Sequence, residues 1–332
     1  MKRWMIALTL CLLLPLAAAS VGEPRSEVLA GLEPFSLVYT GDDTFSTATG
    51  FTFTLEERND ALYQVGAEGT LDAEGISFAS TLVGAATGYG AEIAQPVAQF
   101  FEQQVGEVAG QGPINLSVEE FVLTLDVSGD EAPYDVVIGL ELREVPAAAF
   151  PEAPHSLGPD DATYVIREFS DLQCPACQQF AQTALPLIKD ELLSRGDVRF
   201  EFHHFPLQSI HPNALPAAEA AECVVDANDA DAFWTYHDAL FERQRAWSSL
   251  GDPASYFVRL ADDIGLDTDG MATCLDERRY ADEILEDYDI AGGVLGLRGT
   301  PSVFVNGYQI RNYPELSSYL DAMRYVDLFG AE

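Results

Sequence analysis

The feature that most constrains this chain is a pair of cysteines two residues apart, Cys174-Pro175-Ala176-Cys177, placed where an apolar strand gives way to a helix. Residues 163–169 carry Val165, Ile166 and Phe169, β-branched and aromatic side chains that predict a strand. From Cys177 onward, Phe180, Leu185, Leu187, Ile188 and Leu192 predict an amphipathic helix. A thiol at a helix N-terminus meets unpaired backbone N–H groups and the positive end of the helix dipole, which favour thiolate over thiol. The spacing also lets Cys177 reach back across the first turn to the Cys174 sulfur. It therefore suits disulfide exchange in which Cys174 attacks or is attacked and Cys177 resolves. Pro175 costs the helix start no hydrogen bond and Ala176 brings no cation, so dipole and burial are expected to tune the pair.

The same cysteine spacing occurs in zinc knuckles, and three other segments bear on the choice. Gly299-Thr300-Pro301-Ser302-Val303-Phe304-Val305-Asn306-Gly307 reads as a short strand entered through a proline and left through an Asn-Gly turn, with Thr300-Pro301 a candidate cis peptide. Glu168, six residues before Cys174, falls on the strand that looks buried. A carboxyl beneath a thiol pair has a raised pKa and can relay the proton of Cys177. Residues 198–207 read as a second strand, followed by a largely helical stretch from about 211 to 291, so a helical insertion interrupts a β-α-β unit.

Residues 160–326 resemble the DsbA family of exported thiol-disulfide oxidoreductases, over about half the chain. The landmarks are Glu168-Phe169 before Cys174-Pro175-Ala176-Cys177, then His204-Phe205-Pro206-Leu207, His211-Pro212, Phe233-Trp234 through Leu240-Phe241, and Gly299-Thr300-Pro301 with Val305-Asn306-Gly307. The resemblance implies a thioredoxin fold with an inserted helical domain. It also implies Cys174 as nucleophile, Cys177 as resolving thiol, Glu168 as buried acid, and a cis-proline loop at Thr300 and Pro301 that holds substrate backbone beside Cys174. Threonine before that proline resembles the isomerase-like and Gram-positive-like branches, which leaves oxidase and isomerase both open.

Five cysteines occur, at 11, 174, 177, 223 and 274. Cys11 lies in an apolar run preceded by Lys2 and Arg3 and followed by Ala17-Ala18-Ala19, the three regions of a signal peptide over residues 1–19. The run is also long enough for a short membrane anchor, although Pro15 and the small-residue site favour cleavage. Cys223 and Cys274 fall on predicted helices of the insertion, where a structural disulfide would tie its ends together. One zinc site from all four remaining thiols is disfavoured because no second Cys-x-x-Cys occurs. His203 and His204 point to opposite faces of one strand, so at most one of them lines the redox side.

Asp and Glu total 54 against 17 Lys and Arg, a net charge of −37, which repels nucleic acid and anionic lipid and suits high salt. The excess length lies before the redox motif. Residues 26–145 contain no cysteine or histidine and few cations, which argues against metal or acid–base chemistry there. Alternating stretches at 50–55, 62–65 and 76–79, a helix over 93–108, and a hairpin of 121–127 with 134–142 predict a β-rich α+β domain. Three prolines in residues 146–154 predict a linker over 146–159.

The expected fold class is thus an α/β thioredoxin-like fold with an inserted α-helical domain, preceded by a β-rich α+β domain. The expected function is thiol-disulfide exchange on cysteine-containing exported proteins, as oxidase or isomerase. A reductase for particular envelope clients is the alternative. A client-binding, chaperone-like module with a structural Cys174–Cys177 bridge is the alternative from another class. No cofactor is required, because sulfur carries both electrons, and a membrane redox partner would regenerate the pair. The expected location is the periplasm or extracytoplasmic envelope, with membrane tethering if the leader is retained.

Overall fold

The computed structural model describes residues 21–330, so the predicted signal peptide and Cys11 lie outside the described residues. The described residues divide into two compact units, the first ending at Glu141 and the second beginning at Leu142.

The first unit is built on strands β1 (Val38–Gly41), β2 (Thr44–Ser46), β3 (Thr52–Arg58), β4 (Ala61–Thr70), β5 (Ile114–Val118), β6 (Phe121–Ser128) and β7 (Asp135–Leu142). They form one sheet in the order β1-β2-β3-β4-β7-β6-β5. Along β3, Phe53 and Leu55 are buried while Thr54 and Glu56 face outward, the period-two pattern of a sheet with one covered face. Asn59 and Asp60, both at positive φ, turn β3 back into β4. Phe78 sits against Phe35, Phe51 and Phe53 with ring centroids 5.2–5.3 Å apart.

Residues 76–79, expected as a strand, belong instead to the helix Ala73–Thr87. Four alternating residues fit either period. The chain is decided by Asp72, whose carboxylate accepts the Gly75 N–H at 2.8 Å and caps the helix, and by apolar positions at helical spacing: Phe78, Ala79, Leu82, Val83 and Ala86 are all buried. The single helix expected over 93–108 is two pieces, Ala91–Gln103 and Val105–Val108, interrupted at Gln104, which leaves helical geometry.

The second unit holds β8 (His155–Leu157), β9 (Tyr164–Ser170), β10 (Val198–His204), β11 (Ser302–Val305) and β12 (Tyr308–Ile310), in the order β12-β11-β9-β10-β8. Central β9 runs parallel to β10 and antiparallel to β11. The helix Pro175–Leu187 connects β9 to β10, and Leu316–Phe329 closes the chain. Between β10 and β11 lies the helical insertion, which includes Ala214–Cys223, Asp231–Glu242, Ala254–Asp263, Met271–Asp276 and Ala281–Asp289. This is the thioredoxin-like arrangement with an inserted helical domain.

Residues 146–159, read from sequence as a linker, are built into this unit. His155–Leu157 pairs antiparallel with β10, and Phe150 lies against Phe304 and Phe169. Proline-rich composition marks a chain that avoids regular structure, but it does not prevent an edge strand or a buried ring. Val145 belongs here too: its N–H donates to the Gly307 carbonyl, and a Cβ at Gly307 would meet the Val145 carbonyl oxygen at 2.4 Å, so only glycine fits.

Candidate active site

Alternation along β9 decides which side chains meet the cysteines. Tyr164, Ile166 and Glu168 share one face, and the first two pack into the core that also contains Cys177, Phe180, Phe200 and Phe202. Phe169 faces the opposite way, into a separate cluster with Phe205 and Phe304. Glu168 is thereby carried into the interior beneath the thiol pair, flanked by Phe202 on β10 and Val303 on β11, and is fully buried.

Cys174 is the residue preceding the helix Pro175–Leu187, in extended backbone geometry, with Pro175 at the first helical position. It is 8% exposed, whereas Cys177, one turn in, is fully buried. The two are free thiols. The Cys177 thiol donates toward Cys174 and draws its pKa down to about 5; burial opposes this, while Thr300 and the backbone N–H groups of Cys177 and Ala176 assist. Burial thus tunes the pair, as expected, but by raising both thiols, so it works against the low Cys174 pKa. The neighbouring thiol and the helix start bring that pKa down. Cys177 is pushed well above the usual thiol range, first by burial and then by Cys174 and the charge of Glu168. Burial likewise lifts Glu168 to about 8 against the opposing pull of the nearby Ser170 hydroxyl, and among the described residues neither carboxyl oxygen has a partner at full hydrogen-bond geometry.

The peptide bond between Thr300 and Pro301 is cis, at the entry to β11. The Thr300 carbonyl oxygen lies 3.6 Å from Cys174 Sγ, and Ser302 pairs with Phe169 in the sheet. The structure thus brings Glu168, Cys174, Cys177, Thr300 and Pro301 to one end of β9.

Cys223 and Cys274 are joined by a disulfide with their Cα atoms 5.8 Å apart, within the insertion. His204, on the same face of β10 as Phe202, bonds a carboxylate of the insertion rather than either thiol. Its Nε2 donates to Glu222 Oε1 at 2.8 Å, and His155 donates to the same carboxylate at 2.9 Å. Burial would raise Glu222, but these two hydrogen bonds outweigh it and bring the carboxyl down to about 2. His203, on the other face, stacks on Phe169 at 4.6 Å, and burial lowers its pKa.

Sequence reading overlooked the side chains that hold the approach to Cys174. Gln244, from the insertion, donates to the carbonyl oxygens of Leu172 and Cys174 at 2.9 and 3.0 Å. Gln173 donates to the Ser248 carbonyl, and its own amide oxygen accepts the Asn213 N–H. Asp171 is buried and accepts three hydrogen bonds. Each partner lies 36 or more residues away except the Gln173 N–H, so only a local Asx-turn signal at Asp171-Leu172-Gln173 was available.

A sequence model of the thioredoxin family matches residues 151–322. The Na(+)/H(+) antiporter NhaA 3 of Salinispora tropica is 37% identical over 157 residues, which is 47% of this chain and 22% of the antiporter. Disulfide bond formation protein D of Bacillus subtilis is 29% identical over 166 residues, 48% of this chain and 70% of that protein. Among solved structures, oxidised BdbD from Bacillus subtilis aligns at 26% identity with a TM-score of 0.46, covering 56% of this chain and 94% of its own. The chain thus spans less than a quarter of the length of the antiporter and most of the length of the Bacillus protein.

Proposed function

The chain belongs to the thioredoxin family, in its DsbA-like branch of thiol-disulfide oxidoreductases, and from that premise we propose that it donates disulfides to cysteine pairs of exported proteins through a mixed disulfide at Cys174. In the forward reaction a client thiolate attacks Cys174 of the Cys174–Cys177 disulfide. The new bond joins the client sulfur to Cys174, and the old bond releases its electron pair to Cys177. Glu168, protonated below about pH 8, supplies a proton to the Cys177 sulfur. A second client thiolate then attacks the client sulfur of the mixed disulfide, forming the client disulfide and releasing Cys174 as a thiolate. Two electrons have passed to the pair, the proton on Cys177 has come from Glu168, and the protons of the two client thiols have gone to solvent, from which Glu168 is reprotonated. In the reverse direction Cys177 resolves the mixed disulfide, as in isomerisation of a wrongly paired client.

The observation that carries this reading is the unequal environment of the two sulfurs. Holding Cys174 as a thiolate near pH 5 stabilises the reduced pair and makes Cys174 a good leaving group, both of which favour oxidising chemistry. Thr300 and Pro301 provide an edge beside Cys174 for an extended client backbone. The Cys223–Cys274 disulfide suits an oxidising, extracytoplasmic compartment, and among the described residues no helix is long and apolar enough to cross a membrane. Regeneration requires an electron acceptor of the envelope.

The test is the equilibrium of the Cys174–Cys177 pair with glutathione, alongside trapping of a reduced client. A potential toward the oxidising end, near −120 rather than about −270 mV, is expected. The Cys177→Ser protein should accumulate a client joined through Cys174. A thioredoxin-like potential would overturn the disulfide-donor reading in favour of a reductase.

A further inference from the structure

Asp171 touches both cysteines, though never through its side chain. Its backbone N–H donates to Cys177 Sγ at 3.4 Å, and its carbonyl oxygen accepts the Cys174 N–H at 2.9 Å. Asp171 is therefore bonded through its N–H to the Cys177 sulfur and through its carbonyl to the backbone of Cys174, and its orientation fixes whether a donor points at Cys177. The side chain sets that orientation. Oδ1 accepts the Gln173 N–H at 2.8 Å, closing the turn locally, while Oδ2 accepts the Leu207 N–H at 2.9 Å and His211 Nδ1 at 2.7 Å. Leu207 and His211 are tied to each other by the His211 N–H donating to the Leu207 carbonyl. This completes a closed link between the turn before Cys174 and the chain that enters the insertion.

A carboxylate with no solvent exposure is costly unless its lone pairs are filled, and here three donors fill them. Nothing in the exchange chemistry itself uses this group. Cys177, however, is the sulfur whose charge is hardest to bear: its surroundings are dry, and the Asp171 N–H is the one backbone donor that lowers its pKa against that burial. Charge develops on Cys177 each time the intramolecular disulfide opens, and it is discharged each time Cys177 attacks the mixed disulfide.

Building on the disulfide-exchange reading, we propose that Asp171, held by His211 and Leu207, is a positioning residue that aims its own backbone N–H at Cys177. It thereby sets the ease with which Cys177 leaves and attacks. His211 is the adjustable member, since it is 17% exposed and reaches the carboxylate from the insertion side.

The experiment uses the full chain with the Cys223–Cys274 disulfide intact and compares Asp171→Asn and His211→Gln with the parent. Asparagine matches the size of aspartate but directs an NH2 group at one of the three donors. Asp171→Asn is expected to shift the glutathione equilibrium of the pair about tenfold, about 30 mV. In a Cys174→Ser background it should also raise the pH at which Cys177 becomes alkylated. His211→Gln should move both quantities in the same direction by about threefold. A brace with only a structural role would lower the melting temperature and leave both readouts where they were; that result in either folded variant overturns the proposal. If Asp171→Asn does not fold, His211→Gln decides alone. A parent protein that fails to exchange disulfides with glutathione would instead defeat the functional reading, so the two failures are distinguishable.

Discussion

The turn that opens the helix Pro175–Leu187 and the bridge between Ala214–Cys223 and Met271–Asp276 each bring two cysteines together in the same hydrophobic core. Cys223 is the last residue of its helix, at the end where unpaired carbonyls gather, and with Cys274 it forms a closed disulfide spanning 51 positions of chain. Cys174 stands at the opposite kind of end, where N–H groups point at sulfur, and its partner lies above a buried carboxyl. All four sulfurs are buried. Burial alone therefore does not make a pair reactive. Reactivity comes from unequal donors around the two sulfurs and from a nearby group able to exchange a proton.

The sharpest break in that contrast is Cys174→Ser, which should reduce disulfide exchange to the uncatalysed rate in a client-oxidation assay. Serine at Cys223 should leave exchange at Cys174 intact. Instead it should lower unfolding free energy in denaturant titration by about 4 kcal/mol, because opening a 51-residue loop restores entropy to the unfolded chain. If Cys223→Ser abolished exchange under conditions where the protein stays folded, the division between a structural and a reactive pair would be wrong.

Glu168→Gln should separate function from stability. Removing the proton relay is expected to slow opening and closing of the Cys174–Cys177 disulfide by about 100-fold and to erase an inflection near pH 8 in the pH–rate profile. The same change should stabilise the fold. A carboxyl at about 8 in the folded protein against 4.5 when unfolded disfavours folding increasingly as pH rises from 4.5 to 8. The lost stability is about 3 kcal/mol at pH 7. Melting curves of parent and variant should therefore diverge with rising pH, and parallel curves would mean that Glu168 titrates normally.

Glu222 has the opposite sign. Its pKa is depressed to about 2, so its contribution, at most about 3 kcal/mol, is present above 4.5 and lost as pH falls through 2. Glu222→Gln should flatten acid unfolding over that interval while leaving exchange at Cys174 unaltered.

Much of the second unit is legible in the sequence because its signals are local. A strand, two cysteines and a helix occur within 164–187, and a proline, a short strand and an Asn-Gly turn within 300–307. The polar clamp around Cys174 is not local. Asp171 meets Leu207 and His211, Gln244 reaches back to the Cys174 carbonyl, and Gln173 meets Ser248 75 positions away. Only the folded insertion brings these groups together. In the first unit the failure has another origin. Ile76-Ser77-Phe78-Ala79 satisfies a two-residue alternation by chance, and the decisive cap at Asp72 lies outside those four residues.

The most direct measurement is the pH dependence of alkylation at Cys174 and Cys177 in the reduced protein, read separately by mass spectrometry. Cys174 should react with a midpoint near 5, and Cys177 should stay protected to well above the ordinary thiol value of 9. Two thiols titrating together near 9 would contradict the unequal environments on which the proposed chemistry rests.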